Sequence, residues 1–389
     1  MGSSTERLAN LATCVLFAAA IALPPLRTLI DAGRADTRPE NRRASALPAF
    51  PRDRRALAEF PGGFERFYAD AFGFRGTLLR WNSIVRTRWL GVSPSERVAI
   101  GQEGWLYYAA GGALDDDDGL RPFLPEDLDG WQRALESRRE WLAAHGIRHL
   151  LVIAPNAQSI YPEYLPRARD RGAGPSRLDQ LMARLRTGPR LDVIDLRETL
   201  RLARTRERVY QRTDSHWNDR GAFAAYQLVM QRVSGWYPAA TPFARDAFED
   251  IVEAGPAGDL ARMIGLADAY REEVLALRPR FLRRARRAEP GLPQRYRSGR
   301  IRARAFEVDD PTLPRAVMLH DSFGRALIPF LSEHFRRILY VPGHDLAPRI
   351  IERERPDIVI EELVERRLLE PPPVDGGLSA GAPPAGPPQ

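Results

Sequence analysis

Five consecutive apolar residues, Leu150-Leu151-Val152-Ile153-Ala154, show none of the alternation of a half-exposed strand, and they define a strand covered on both faces. A helical pattern from Pro125 to His145 leads into it, with Trp131, Leu135, Trp141 and Leu142 at the core-facing positions. The same alternation then recurs. Leu178 to Leu185 is helical, Leu191 to Ile194 extended, Leu196 to Arg204 helical, and Gly221 to Val233 a strongly apolar helix. Further along, Ala316 to Leu319, Ile338 to Val341 and Ile358 to Ile360 are strands, separated by helical stretches at Ala326 to Phe335 and Leu346 to Arg355. Strands that alternate with helices join by crossovers, which predicts an α/β fold: a parallel sheet with helices on both faces. Active sites in such sheets lie beyond the carboxyl ends of the strands.

The flanking segments divide the chain. From Leu8 to Leu26 the sequence is almost wholly apolar, interrupted by Asn10, Thr13 and Pro24-Pro25. That stretch approaches the roughly 20 residues a membrane-crossing helix needs. Ala20-Ile21-Ala22 would also suit a cleaved signal peptide, but an uncleaved signal anchor is the favoured reading, with residues 1–35 as the N-terminal transmembrane segment. It implies a single pass through the inner membrane and a domain in the periplasm or at the cell exterior. Residues 36–59, rich in Arg, Pro and Ala, form a linker, and the main domain spans 60–370. Phe64, Phe67, Tyr68, Phe72 and Phe74 mark an amphipathic helix, and Gly104 to Tyr108 a short aromatic strand after a turn. Within 242–304 the pattern weakens, which suggests an insertion or lid. Asp115 to Asp118 reads as a solvated acidic loop without the alternating ligands of a calcium loop. Residues 371–389, mostly Pro, Gly and Ala with almost no large apolar residue, are expected to be a disordered tail.

Charge and cysteine content narrow the functional classes. The 58 basic residues against 51 acidic give a net charge of +7, and every basic residue is Arg. These Arg residues are scattered among acids with no aromatic-interleaved basic stripe, so nucleic acid is not an expected partner. The single cysteine, Cys14, lies in the apolar leader, which removes internal disulfides and cysteine-based metal sites.

Chemistry points to two short stretches, Asp214-Ser215-His216-Trp217-Asn218 and His320-Asp321-Ser322-Phe323-Gly324. Ser322 follows a predicted strand and precedes a predicted helix, which places a hydroxyl near backbone N–H groups able to hold an oxyanion. A helix cap is the plainer role for such a serine. A serine hydroxyl needs a base, and the base needs a carboxylate to fix its tautomer. His216 with Asp214 two residues before it supplies both; the plainer alternatives are a structural His packed beside Trp217 and a helix-capping Asp. His344 is the second candidate base. His320 and Asp321 adjoin Ser322, and successive side chains do not face one another. His145, His149 and His334 fall inside helix or strand patterns. A metal site from Asp214, His216 and Asp321 lacks any two-histidine spacing, so no metal is assigned.

These stretches, taken in order, resemble the AlgJ/AlgX-like family of alginate O-acetyltransferases, with their SGNH hydrolase-like domain. The similarity also rests on Glu40-Asn41-Arg42, Asp70-Ala71-Phe72 with Phe74-Arg75, Gly104-Trp105-Leu106, Ser159 to Glu163, Gly258-Asp259-Leu260 and Pro356 to Val359. The resemblance implies a flavodoxin-like, circularly permuted sheet in which the Asp-x-His pair precedes the nucleophile. It implies that Ser322 forms an acyl-enzyme, His216 is the base and Asp214 orients it. Asn156, which follows a core strand, is a candidate oxyanion or sugar contact, and Tyr161, Trp217 and Arg325 are further candidate substrate contacts. The resemblance further implies O-acetylation of an exported polysaccharide, with acetyl groups supplied by a membrane-bound O-acyltransferase and no cofactor. An esterase using the same triad and a non-catalytic, polysaccharide-binding scaffold subunit are the alternatives. Pro155-Asn156-Ala157-Gln158 departs from the family, which often carries Lys in place of Ala157.

Overall fold

The structure is a computed structural model that describes residues 4–31, 45–167, 172, 174–188, 190–293 and 302–373. Part of the expected linker (36–44), part of the insertion (294–301) and the tail from residue 374 lie outside the described residues. The chain divides into two compact units, Met1–Ser95 with Arg262–Leu266, and Glu96–Ala261 with Ala267–Gln389.

The first unit holds helices α1 (Ser4–Asp31), α2 (Arg54–Ala71) and α3 (Arg75–Ile84), the last continued by a π-helical stretch, Val85–Trp89. Asp53 caps α2 by accepting from the Ala56 N–H at 2.7 Å. On α2, Phe60, Phe64 and Tyr68 recur every fourth residue and stack at 6.0 and 6.1 Å between centroids. One apolar window of α1, Glu6–Thr28, is long enough to cross a membrane.

In the second unit the strands are β1 (Val98–Ile100), β2 (Leu106–Tyr108), β3 (Arg148–Ala154), β4 (Val193–Asp195), β5 (Phe248–Gly255), β6 (Glu272–Pro279), β7 (Arg286–Ala288), β8 (Arg304–Glu307), β9 (Arg315–His320), β10 (Arg337–Pro342) and β11 (Ile358–Val364). Its helices are α4 (Ala113–Asp117), α5 (Pro125–Ala144), α6 (Ala157–Ile160), α7 (Arg177–Thr187), α8 (Arg197–Ala203), α9 (Asp219–Trp236), α10 (Asp259–Met263, whose last two residues fall in the first unit), α11 (Ile328–Leu331) and α12 (Pro348–Glu354). The central sheet runs β4-β3-β11-β9-β10-β8-β7. Its first five strands are parallel, as the alternation predicts. The sheet is not wholly parallel, however: β8 and β7 add antiparallel at one edge, drawn partly from the segment expected to be an insertion. The last strand, β11, enters between β3 and β9.

Alternate residues of the parallel strands feed different cores. Leu150, Val152, Met318 and Ile360 pack with α9 through Phe223, Tyr226 and Met230. Leu151 and Ile153 face α5 and α7 through Trp131, Leu135, Leu178 and Leu181. A capping box closes the start of α7: Ser176 accepts from the Asp179 N–H while the Asp179 carboxylate accepts from the Ser176 N–H.

The strand predicted at Ile358 to Ile360 extends four residues further, through Glu361 and Glu362, both fully buried. Charge pairing explains the first. Glu361 bonds Arg138 on α5, itself fully buried, and lies 3.3 Å from His149. Burial raises the Glu361 carboxyl, but the Arg138 charge outweighs it and holds the group down at about 2. Because the folded value lies below the unfolded one, the pair's contribution is complete only above about pH 5 and is lost progressively as pH falls to about 2. Arg138→Met should therefore cost about 3–5 kcal/mol at neutral pH by stranding Glu361. Urea unfolding of the variant and of wild type at pH 7 and pH 3 checks this, with a smaller difference expected at the lower pH.

Two other expectations change. Asp115 to Asp118 is not a solvated loop: it spans the end of α4, with Asp116 and Asp118 buried and Asp116 accepting from the Arg177 N–H at 2.9 Å. The helix predicted at Ala326 to Phe335 is broken into a 3-10 turn at Gly324–Ala326, the four-residue α11, and a second 3-10 turn at Ser332–His334.

Candidate active site

Asp214, His216 and Ser322 converge beyond the carboxyl end of β9. The Asp214–His216 loop precedes α9, and Asn218 caps that helix, accepting from the N–H groups of Arg220 and Gly221. Asp214 is therefore not used as a cap. Its Oδ1 lies 2.7 Å from His216 Nδ1 and also accepts the His216 backbone N–H at 3.1 Å. A carboxylate can only accept, so the ring proton sits on Nδ1 and Nε2 is left as an acceptor. Ser322 Oγ donates to that Nε2 across 2.7 Å. Burial pushes the Asp214 carboxyl up, but its bonds to His216 outweigh this and lower it to about 2. Asp214 thus remains ionised at any ordinary pH. The Phe323 ring, fully buried, packs 4.8 Å from the His216 ring and limits its rotation.

The serine turn is fastened from below. Asp321 accepts from the N–H groups of Phe323 at 2.8 Å and Val364 at 2.7 Å, tying the turn to the end of β11. Glu362 accepts from the Asp321 N–H at 3.3 Å and also hydrogen-bonds the Gly324 backbone. Burial first, and then the Asp321 charge, push the Glu362 carboxyl well above its ordinary range. The predicted helix start therefore offers fewer oxyanion donors than expected: the Phe323 and Gly324 N–H groups are spent on holding the turn.

A second carboxylate, Asp259, braces the histidine loop, and sequence reasoning gave it no role. Its Oδ1 accepts the Ser215 N–H and its Oδ2 the Ser215 hydroxyl, each at 2.7 Å. Its own N–H donates to Asp214 Oδ2 at 2.9 Å, and its Oδ2 lies 3.8 Å from His216 Nδ1. Gly258 makes this possible, because a Cβ there would sit 2.4 Å from the Thr213 carbonyl and 2.5 Å from Asp214 Cβ. Glu272 on β6 completes the brace by accepting from the Thr213 N–H and hydroxyl. The region expected to be a lid is thus built into the site. Its signal in the sequence is Gly258-Asp259-Leu260, one of the short stretches on which the family resemblance rests. Asp214, His216 and Asp259 also offer ligand atoms within 4.8 Å of one another, all of them taken up by the hydrogen bonds just described.

The four residues expected to contact substrate separate. Asn156 is 4% exposed; its N–H donates to Glu365 at 2.9 Å and its Oδ1 accepts from Arg366 at 3.0 Å. Tyr161 is 6% exposed and its hydroxyl accepts the Val209 N–H. Trp217 is 3% exposed and its indole N–H donates to the Phe323 carbonyl. Those three are engaged within the protein. Arg325 alone is exposed, three residues from Ser322. Arg366, which no motif distinguished among 58 basic residues, lies 5.1 Å from the Phe323 ring and 4.7 Å from the Tyr108 ring. The alternative base, His344, is set instead beside the buried Arg138–Glu361 pair, 4.0 Å from Glu361.

A parallel sheet with a serine turn at the end of one central strand defines an SGNH hydrolase-like domain, and the comparisons agree. The solved structure of Bacillus cereus PatB1 with a sulfonyl adduct superposes with a TM-score of 0.52 and 12% identity, covering 72% of this chain and 99% of that one. Within the class, residues 98–291 match the family described as "SGNH hydrolase-like domain, acetyltransferase AlgX". Among relatives, the "Probable alginate O-acetylase AlgJ" of Pseudomonas aeruginosa is 27% identical over 238 residues, 61% of this chain and 58% of that protein. Its counterpart in Pseudomonas putida is 28% identical over 137 residues, 35% of this chain and 34% of that protein. The matches therefore span less than two thirds of the relatives' length.

Proposed function

We propose that this protein is an O-acetyltransferase that moves an acetyl group through a Ser322 acyl-enzyme to hydroxyls of an exported polysaccharide. The observation that carries the reading is the continuous Asp214–His216–Ser322 chain, two links of 2.7 Å, beside a sequence of the AlgX acetyltransferase family. His216 Nε2 takes the Ser322 proton as Oγ bonds to the acetyl carbon, and the developing oxyanion is held by the Ser322 N–H. The bond to the donor's leaving group breaks, and that group departs with the proton from His216. A sugar hydroxyl then gives its proton to His216 and attacks the acetyl carbon; Ser322 leaves and recovers its proton. Each assisted transfer supplies about a hundredfold to ten-thousandfold in rate. The exposed Arg325 and the ring-stacked Arg366 are the side chains that contact substrate, with Asn156 holding Arg366 in place.

The apolar α1 fits a single-pass anchor, with the catalytic domain at the periplasmic or outer face of the membrane. The acetyl donor would then be supplied across that membrane by a membrane-bound O-acyltransferase. The test incubates the full chain in detergent with a chromogenic acetyl ester and mixed polysaccharide fragments, followed by mass spectrometry of the sugars. Acetylated sugar supports the transferase. Acetate release with no sugar product would make it an esterase, and sugar binding without turnover of any ester would make it a scaffold.

Asp259 acts through its neighbours in this scheme, as a positioning residue. A hydrogen bond to a charged acceptor contributes about 1.5–3 kcal/mol, so Asp259→Asn should lower kcat about tenfold to a hundredfold. KM should stay nearly unchanged, because Asp259 bonds the histidine loop and not the acceptor. Steady-state kinetics that returned a KM defect with normal kcat would remove Asp259 from the positioning of His216.

A further inference from the structure

Among the described residues, the first unit leaves an apolar face exposed on the helix that follows α2. Phe74, Leu78, Trp81, Val85 and Trp89 recur at helical spacing, and the Phe, Leu and two Trp are 44%, 55%, 57% and 79% exposed. Leu90 and Val92 extend the face at 65% and 54%. A helix packed on a protein core turns such a stripe inward, yet the buried residue of α3 is Ser83. The charges of the segment are of one sign: Arg75, Arg80, Arg86 and Arg88 fall in 75–95, which contains no Asp or Glu. A Phe/Leu/Trp face combined with Arg alone is the composition of helices that lie in a membrane interface.

The position of the segment agrees with its composition. The turn that launches α3 is fastened to the end of the apolar window Glu6–Thr28. Thr28 Oγ1 donates to the Ala71 carbonyl at 2.8 Å and accepts the Gly73 N–H at 3.0 Å. The approach is so close that a Cβ on Gly73 would lie 2.4 Å from the Pro24 carbonyl and 2.6 Å from Arg27 Cβ. The chain thus enters α3 at the level where a membrane-spanning α1 would leave the hydrocarbon.

We infer that Phe74–Val92 is a second, interfacial membrane contact: a helical segment in the headgroup layer, its Trp and Leu toward the acyl chains and its Arg against anionic lipid. This rests on reading α1 as a membrane span. Such a contact would fix the protein to the surface at two points instead of leaving it on a swivel. It would also hold the first unit against the bilayer.

The full chain, reconstituted in vesicles of zwitterionic and anionic phospholipids brominated on the acyl chains, tests both levels. Flotation after an alkaline wash reports on α1, and tryptophan quenching reports on the stripe. Wild type should float and be quenched; Trp81→Phe/Trp89→Phe should float and lose most of the quenching; Arg86→Glu/Arg88→Glu should float with reduced quenching. Floating protein with equal quenching in wild type and the Trp variant overturns the interfacial contact alone and points to a protein partner over the stripe. Protein that does not float overturns the contact together with the span on which it rests.

Discussion

Ser322→Ala should lower acetyl transfer by at least about ten-thousandfold while leaving the fold intact, since the nucleophile has no substitute in the scheme. Ser322 is half-buried and its hydroxyl is directed to His216, so removing one oxygen opens no core cavity. Thermal unfolding of the variant should match wild type closely. The residues of a catalytic unit do not contribute additively, so Ser322→Ala/His216→Ala should be no slower than either single variant. A residual rate within tenfold of wild type would mean that another group carries the acyl transfer.

Asp214→Asn should cost about ten-thousandfold in kcat with little change in structure. An amide at this position can present its NH2 to His216 Nδ1 and force the ring proton onto Nε2, where it blocks acceptance from Ser322. The geometry adds a finer expectation. With Asp259 Oδ2 only 3.8 Å from Nδ1, a small shift lets that carboxylate take over when Asp214 is shortened and not replaced by a donor. Asp214→Ala should therefore retain more activity than Asp214→Asn, and Asp214→Ala/Asp259→Ala should lose the difference. Single-turnover rates of the three variants decide the matter; equal rates for Asp214→Asn and Asp214→Ala would remove Asp259 as a stand-in.

What the sequence disclosed follows from where each signal was local. The strands at 148–154 and 315–320 were legible because their apolar runs are buried on both faces and need no partner to be recognised. The Asp214–His216 pair was legible because two residues in one loop can meet whatever the tertiary fold, and Ser322 because it sits between a recognisable strand and a helical stretch; the resemblance then joined the three in one site. The strand at 358–364 was cut short because Glu361 and Glu362 look solvated until Arg138 and the Asp321 turn, distant in sequence, are brought against them. The acidic run at Asp115 to Asp118 misled for the same reason, since its burial depends on Arg177. Asp259 and Arg366 were not assigned: their roles arise only when 257–260 meets the histidine loop and when the end of β11 meets Phe323. Long-range polar pairing was thus the part of the fold that periodicity could not carry.

The most direct test of the account is to find where the acetyl group rests during turnover. Wild-type chain mixed with a chromogenic acetyl ester in the absence of acceptor, quenched in acid and mapped by peptide mass spectrometry, should carry one acetyl group on Ser322. That adduct should vanish on addition of polysaccharide acceptor and be missing from Ser322→Ala. An acetyl group on any other residue that chases into the acceptor, or transfer by Ser322→Ala at the wild-type rate, would contradict the acyl-enzyme.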